Sequence, residues 1–220
     1  MFLGIGLGLL LIGLLFGFLA FIILKETSTH RFWRNKVEEG DLEMIGQLVA
    51  AAVDDWRTQR PPKGVPASVW QGIQGVEVLE VGRDYIRCSC SAEGQFALVG
   101  GERRQVSSAL DEGRRITARL AELFFYDVPH VSPDRVQIDV YATFRELGGD
   151  ATQRCILTTV AHRADAADID WENDPPDMIA GRLGARFQLD AHGAPQPIEP
   201  EAPAPRPSTN GARAEGPPSA

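Results

Sequence analysis

The chain has 220 residues and a mass of 24.0 kDa, room for one domain of ordinary size with appendages. A net charge of −8 excludes a general nucleic-acid binder, which needs cations to displace condensed counterions. Three cysteines, an odd number, exclude a disulfide framework. Both appendages show in the composition: the first 24 residues carry no charge, and eight of the 15 prolines fall between Pro195 and Pro218.

From Phe2 to Leu24 the chain runs for 23 residues without a polar side chain. At about 1.5 Å per residue this spans a hydrocarbon core of roughly 30 Å with some tilt. A cleaved signal peptide would need a basic start, a shorter apolar run and a small-x-small cleavage site, none of which is present. The run therefore reads as an uncleaved anchor. Lys25, Arg31, Arg34 and Lys36 follow it, and the positive-inside rule then keeps the C-terminal body in the cytoplasm and Met1 outside. Phe32 and Trp33 among these cations suit the lipid interface. Residues 25–36 carry a net +3, which leaves −11 on residues 37–220, so the collar is drawn to anionic lipid and the body is repelled from it. The anchor holds two small-residue pairs, Gly4/Gly8 and Gly13/Gly17, on opposite helix faces. Such faces pack a second copy of the chain or a different membrane helix. The competing explanation is the general abundance of glycine in membrane helices.

Asp41 is the expected N-cap of a helix running to about Gln59, with Leu42, Ile45, Val49, Ala52, Val53 and Trp56 on one stripe. Residues 61–75 read as a Pro/Gly connector in which Val69 and Trp70 plug a surface gap. Strands follow at 76–81 and 84–92, with a shorter one at 95–99 ending at Gly100-Gly101. Ser108 to Asp111 has capping-box form and opens a helix to about Tyr126. Residues 135–144 alternate, Val136, Ile138, Val140, Ala142 and Phe144 against Gln137, Asp139, Tyr141 and Thr143, and turn at Gly148-Gly149-Asp150 into a strand at 154–162. An acidic stretch, a brief helix at 177–183 and an extended ARFQLD complete the body. The tail from Gly193 lacks large apolar side chains and is expected to be disordered.

Candidate chemistry is sparse. Cys88 and Cys90 point to one strand face, as two soft-metal ligands would, with Cys155 as a possible third. Yet Ile86 and Ala92 share that face, which is the ordinary setting of buried free cysteine. The acidic run from Asp165 to Asp177 lacks the spacing and the central glycine of a calcium loop, and Pro175-Pro176 interrupts it. His30, His130, His162 and His192 form no i+2 or i+4 pair with one another. A Cys90, His130, Asp139 triad is a combination any chain of this length permits. No phosphate-binding loop occurs in the body.

Two features suit a partner. Arg114, Arg115 and Arg119, with Arg103 and Arg104 upstream, form a basic patch, although Asp111, Glu112 and Glu122 can balance it. Phe124, Phe125 and Tyr126 follow Leu123, four large residues that one helix cannot all bury against one sheet. Either a loop folds over them or part of the cluster is an exposed docking patch.

The expected fold class is α+β: a transmembrane helix at 1–24, a basic juxtamembrane collar at 25–40, a cytoplasmic domain at 41–192 and a disordered Pro/Ala-rich tail at 193–220. The domain is expected to be an antiparallel or mixed sheet packed by two main helices. The expected role is an accessory, assembly or scaffold subunit of a membrane complex, working by protein binding beside membrane lipid. The alternative is a membrane-tethered enzyme or ligand-sensing domain with a pocket between helix and sheet. No catalytic, cofactor-binding or metal residue is assigned.

Overall fold

The computed structural model describes Phe18, Trp33, residues 36–145 and residues 149–200. The expected span at 1–24 with Gly4, Gly8, Gly13 and Gly17, the collar residues Lys25, Arg31, Phe32 and Arg34, and residues 201–220 lie outside the described residues. Among the described residues no helix is long and apolar enough to cross a membrane. Trp33 is helical and half-buried, and Lys36 Nζ pairs with Glu39 at 3.0 Å.

Helix α1 (Leu42–Thr58) starts where its cap predicts. The Met44 N–H donates to Asp41 Oδ1, and Ile45, Val49, Ala52, Val53 and Trp56 form its buried stripe. The expected connector holds a second helix, α2 (Ala67–Gln74), entered from Pro66, whose Val69, Trp70 and Ile73 lie in the core. Trp70 does more than plug a gap, since its Nε1 donates to Gln59 O at 3.0 Å and fixes the α1–α2 corner.

Strands β1 (Glu77–Val81) and β2 (Tyr85–Ser91) pair antiparallel. Strands β3 (Gln95–Val99) and β4 (Glu102–Ser107) form a separate two-stranded ribbon. Helix α3 (Ala109–Tyr126) carries the predicted capping box: Ser108 Oγ accepts from the Asp111 N–H, and Asp111 Oδ2 accepts from the Ser108 N–H. Strands β5 (Arg135–Arg145) and β6 (Ala151–His162) complete a four-stranded sheet of order β1-β2-β5-β6. Its β2–β5 pair is parallel, so the sheet is mixed. Helix α3 supplies the crossover that parallel neighbours require.

Helix α3 lies across β5 and β6, with α2 and the short α5 (Pro176–Arg182) packed on it and α1 reaching β1. Between β6 and α5 the chain makes a single turn, α4 (Arg163–Ala166). One continuous core joins these elements, centred on Trp56, Trp70, Ile116, Phe124, Ile138 and Leu157. The mixed α+β architecture is therefore as expected.

The tail is ordered further than expected. β7 (Gln188–Leu189) and β8 (Pro195–Gln196) pair across a turn in which Asp190 Oδ1 accepts from the His192 and Ala194 N–H groups, both at 2.8 Å. Arg186 exchanges backbone bonds with Thr158, and the Ile198 N–H donates to Cys155 O at 2.8 Å. These bonds occupy the outer edge of β6, so the ordered chain continues past the expected limit at 193. Prolines lack a donor, but Ile198 between them still has one.

Candidate docking surface

The three arginines of α3 share one side of the helix, and each has an acidic partner one turn away. Arg114 pairs with Asp111 at 3.4 Å and lies over the Phe187 ring. Arg115 pairs with the buried Glu112 at 2.6 Å, and Ser68 Oγ donates to the same carboxylate. Arg119 pairs with Glu122. Arg115 and Arg119 flank an open groove of about 320 Å³ floored by Val65, Pro66, Val69 and Ala118, with Trp171 on the rim. The basic patch is thus largely neutralised in place, as the acidic residues of the same helix allow.

The aromatic cluster divides. Phe124 is buried edge-on to Trp56 at 5.2 Å, and Phe125 is buried beneath the guanidinium of Arg163. Neither can meet a partner in this fold, because α3 is covered on several sides by α1, α2 and the 163–183 segment. Tyr126 alone stays open, 53% exposed and edge-on to Trp171. Arg163 also closes the end of the helix by donating to Phe125 O and Pro133 O.

Cys88 and Cys90 lie with Ile86 and Ala92 in the core, on the helix side of the sheet. Burial pushes the Cys90 thiol up to about 12, and burial followed by the nearby Asp139 pushes Cys155 up to about 11. Both stay protonated near neutral pH, the inert state for nucleophilic or metal chemistry. Among the described residues no group of three His, Cys, Asp or Glu side chains is placed to hold a metal ion. The acidic run serves local turns: Asp170 accepts from Glu172 and Asn173, and Asp174 pairs with Arg182.

The opposite face of the sheet carries a buried polar network. Gln137 and Asp139, from the polar set of the β5 alternation, are buried, and Asp139 is 0% exposed. Asp139 Oδ2 accepts from Arg87 Nη2 at 2.9 Å and Nε at 3.1 Å, and its Oδ1 accepts from Thr158 Oγ1 at 2.6 Å. Gln137 bridges the carboxylate to Tyr85, whose hydroxyl donates to Gln137 Oε1 at 2.9 Å. Burial raises the Tyr85 pKa. For Arg87 burial is the largest single influence and lowers the pKa, but the bond to Asp139, the charge of Asp139 and the nearby Tyr85 and Tyr141 together outweigh it and hold Arg87 above its ordinary value. This is a filled, satisfied network that braces three strands.

Among the described residues the most exposed apolar surface is on the β3–β4 ribbon. Gly100 and Gly101, at φ 63° and 86°, make the two-residue turn with two left-handed positions that suits a twisted hairpin. In its register, Phe96 and Leu98 share one face with Arg103 and Gln105, while Ala97 and Val99 share the other with Glu102 and Arg104, and the register shifts at Val106. All are exposed, Leu98 by 78%, and the Arg103 guanidinium covers the Phe96 ring at 4.4 Å. Sequence reasoning stopped at Gly100-Gly101 and missed β4. The available signal was the double-glycine turn itself. The ribbon leaves the sheet at the Ser91 end of β2, whereas residues 36–41 sit at its other end, where Arg83 donates to Glu38 O at 3.1 Å.

Fold and surface together define a mixed-sheet α+β domain that carries a projecting apolar hairpin and a neutralised helix groove. Comparison of the chain with protein-family profiles, with curated proteins and with solved structures finds no match.

Proposed function

We propose that this chain is a single-pass membrane-anchored accessory, assembly or scaffold subunit that acts by binding protein. In this reading residues 2–24 are the anchor, Met1 faces outward, and residues 37–220 lie in the cytoplasm. The observation that carries it is the β3–β4 ribbon: a two-stranded ribbon is marginally stable in water by itself, and this one exposes Phe96, Leu98, Val99 and Val106. Its position adds support. The ribbon lies about 20 Å along β2, at roughly 3.3 Å per residue, from residues 36–41, which follow the proposed anchor in sequence. It is therefore offered to proteins rather than to the bilayer in which the chain sits.

The test is purification of the full chain in mild detergent with identification of the membrane subunits that accompany it. Leu98→Lys, a change at an exposed position, should remove them while the melting temperature holds. A bound partner unaffected by Leu98→Lys and by Phe96→Lys would overturn the reading.

A ligand-sensing domain is the second reading, and the α3 groove favours it. Its apolar floor lies beside Arg119, whose Nε is buried without a hydrogen-bond partner among the described residues. A carboxylate ligand that raises the melting temperature of the wild type, and not of Arg119→Met, would establish it.

A further inference from the structure

We propose that the β3 edge of the ribbon pairs with β3 of a second copy of this chain, giving a four-stranded sheet across a two-fold axis at Ala97. The proposal rests on the membrane-anchored binding reading and names the occupant of its docking surface. The two edges of the ribbon differ. The β4 edge carries Glu102, Arg103 and Arg104, whereas β3, Gln95–Val99, has no charge, no proline and four exposed residues. Charge on an edge strand is the usual guard against pairing, and β3 lacks it. Among the described residues β3 pairs with β4 alone.

The hydrogen-bonding pattern selects the register. The Gly100-Gly101 turn is closed by Val99 and Glu102, and the alternation of an antiparallel ladder then turns the N–H and C=O groups of Val99 and Ala97 toward β4. Those of Phe96 and Leu98 point to the free edge. An antiparallel copy satisfies them only when Phe96 meets Leu98 of the other chain, which places Ala97 opposite Ala97. In that register the apolar pairs Phe96–Leu98 line one face on both sides of the axis. The arginines of β4 fall on the outer strands, so no like charges meet.

Edge-to-edge pairing reaches the exposed parts of Phe96 and Leu98, roughly 250 Å² per copy, so a pair covers at most on the order of 500 Å² of apolar side chain. Stable interfaces start near about 1,200 Å². The contact is therefore weak between free molecules and needs copies held together. Two chains anchored in one bilayer present their ribbons at equal height and meet by search within a plane, which favours weak contacts over the same pair free in solution.

The experiment uses the full chain in its membrane, with Ala97→Cys and mild oxidation, read as a disulfide-linked dimer on a non-reducing gel. Facing residues of a non-hydrogen-bonded antiparallel pair have Cα atoms about 4.5 Å apart, within disulfide range. Cys88, Cys90 and Cys155 are buried and do not compete. Ala97→Cys should cross-link at least tenfold faster than Arg104→Cys, which lies one strand further from the axis, and adding Leu98→Lys should abolish the dimer. Equal cross-linking from positions 97 and 104, or none from either, overturns the proposal. If the cross-link fails while Leu98→Lys still strips a co-purifying subunit, the dimer falls and the protein-binding reading stands. If the cross-link forms and Leu98→Lys leaves every co-purifying subunit in place, the dimer stands and the broader reading falls.

Discussion

Replacing Asp139 by alanine should be among the most damaging single changes in the domain. Its carboxylate is fully buried and holds Arg87, Thr158 and Gln137 at once, with the Arg87 contact made through both Nε and Nη2. Alanine leaves a guanidinium that is only 19% exposed, a buried hydroxyl and a buried amide without their shared acceptor. Breaking a buried ion pair from one side costs about 3–5 kcal/mol, and the outward exposure of Arg87 moves the expectation to the lower end, about 3 kcal/mol. Asp139→Asn keeps a carbonyl for Thr158 and loses the charge facing Arg87, so it should cost roughly half as much. The double change Arg87→Met/Asp139→Leu removes both charges and should be milder than Asp139→Ala alone. Urea unfolding of the four proteins, followed by tryptophan fluorescence, reads these differences directly. A loss below about 1 kcal/mol for Asp139→Ala, or a double variant worse than either single one, would show that the network does not brace the sheet.

Gly72→Ala should destabilise by about 1–3 kcal/mol in the same assay, because the new Cβ would fall on Ile116 Cδ1, 2.9 Å from its Cγ1 and 3.2 Å from Ser91 O. A chain ending at residue 200 should melt as the full chain does. One ending at residue 192 should melt several degrees lower, having lost β8 and the Ile198–Cys155 bond. Ser108→Ala should cost about 1 kcal/mol through loss of the α3 cap, measured at neutral pH. The Asp111 pKa is lowered, first by its side-chain bond to Ser108, so its contribution is present above the ordinary carboxylate value of 3.8. It is lost as pH falls through the depressed folded value, and the Ser108→Ala difference should shrink across that acid window.

What could be read from the chain, and what could not, follows physical range. The N-cap at Asp41, the capping box at Ser108 and the apolar stripe of α1 are local, and each element formed where these signals stand. Helix α2 hid behind Pro61, Pro62, Gly64 and Pro66, although Val69, Trp70 and Ile73 have helical spacing. Strand β4 hid because Glu102-Arg103-Arg104-Gln105 shows no alternation, and only its partner β3 makes it a strand. Alternation in β5 correctly separated two faces but could not say that the polar one is buried. That depends on Arg87, on a neighbouring parallel strand 52 residues earlier. The candidate surface suffered the same limit: Phe124 and Phe125 look exposed until α1 and Arg163 cover them, while the ribbon became visible only once β4 was placed.

The parallel β2–β5 pair has a consequence for the newly made chain. The partner that satisfies one side of β2 starts at Arg135, fifty residues after Tyr85. At about 5–20 residues per second, β2 leaves the ribosome with that side open for roughly 3–10 s. For most of this interval its Ile86, Cys88 and Cys90 face lacks α3 as well, because the helix is complete only at Tyr126. Each nascent chain thus passes through a stage in which an apolar, thiol-bearing strand waits on a hairpin. Chains translated side by side on one message are then most at risk of pairing with each other instead of with themselves.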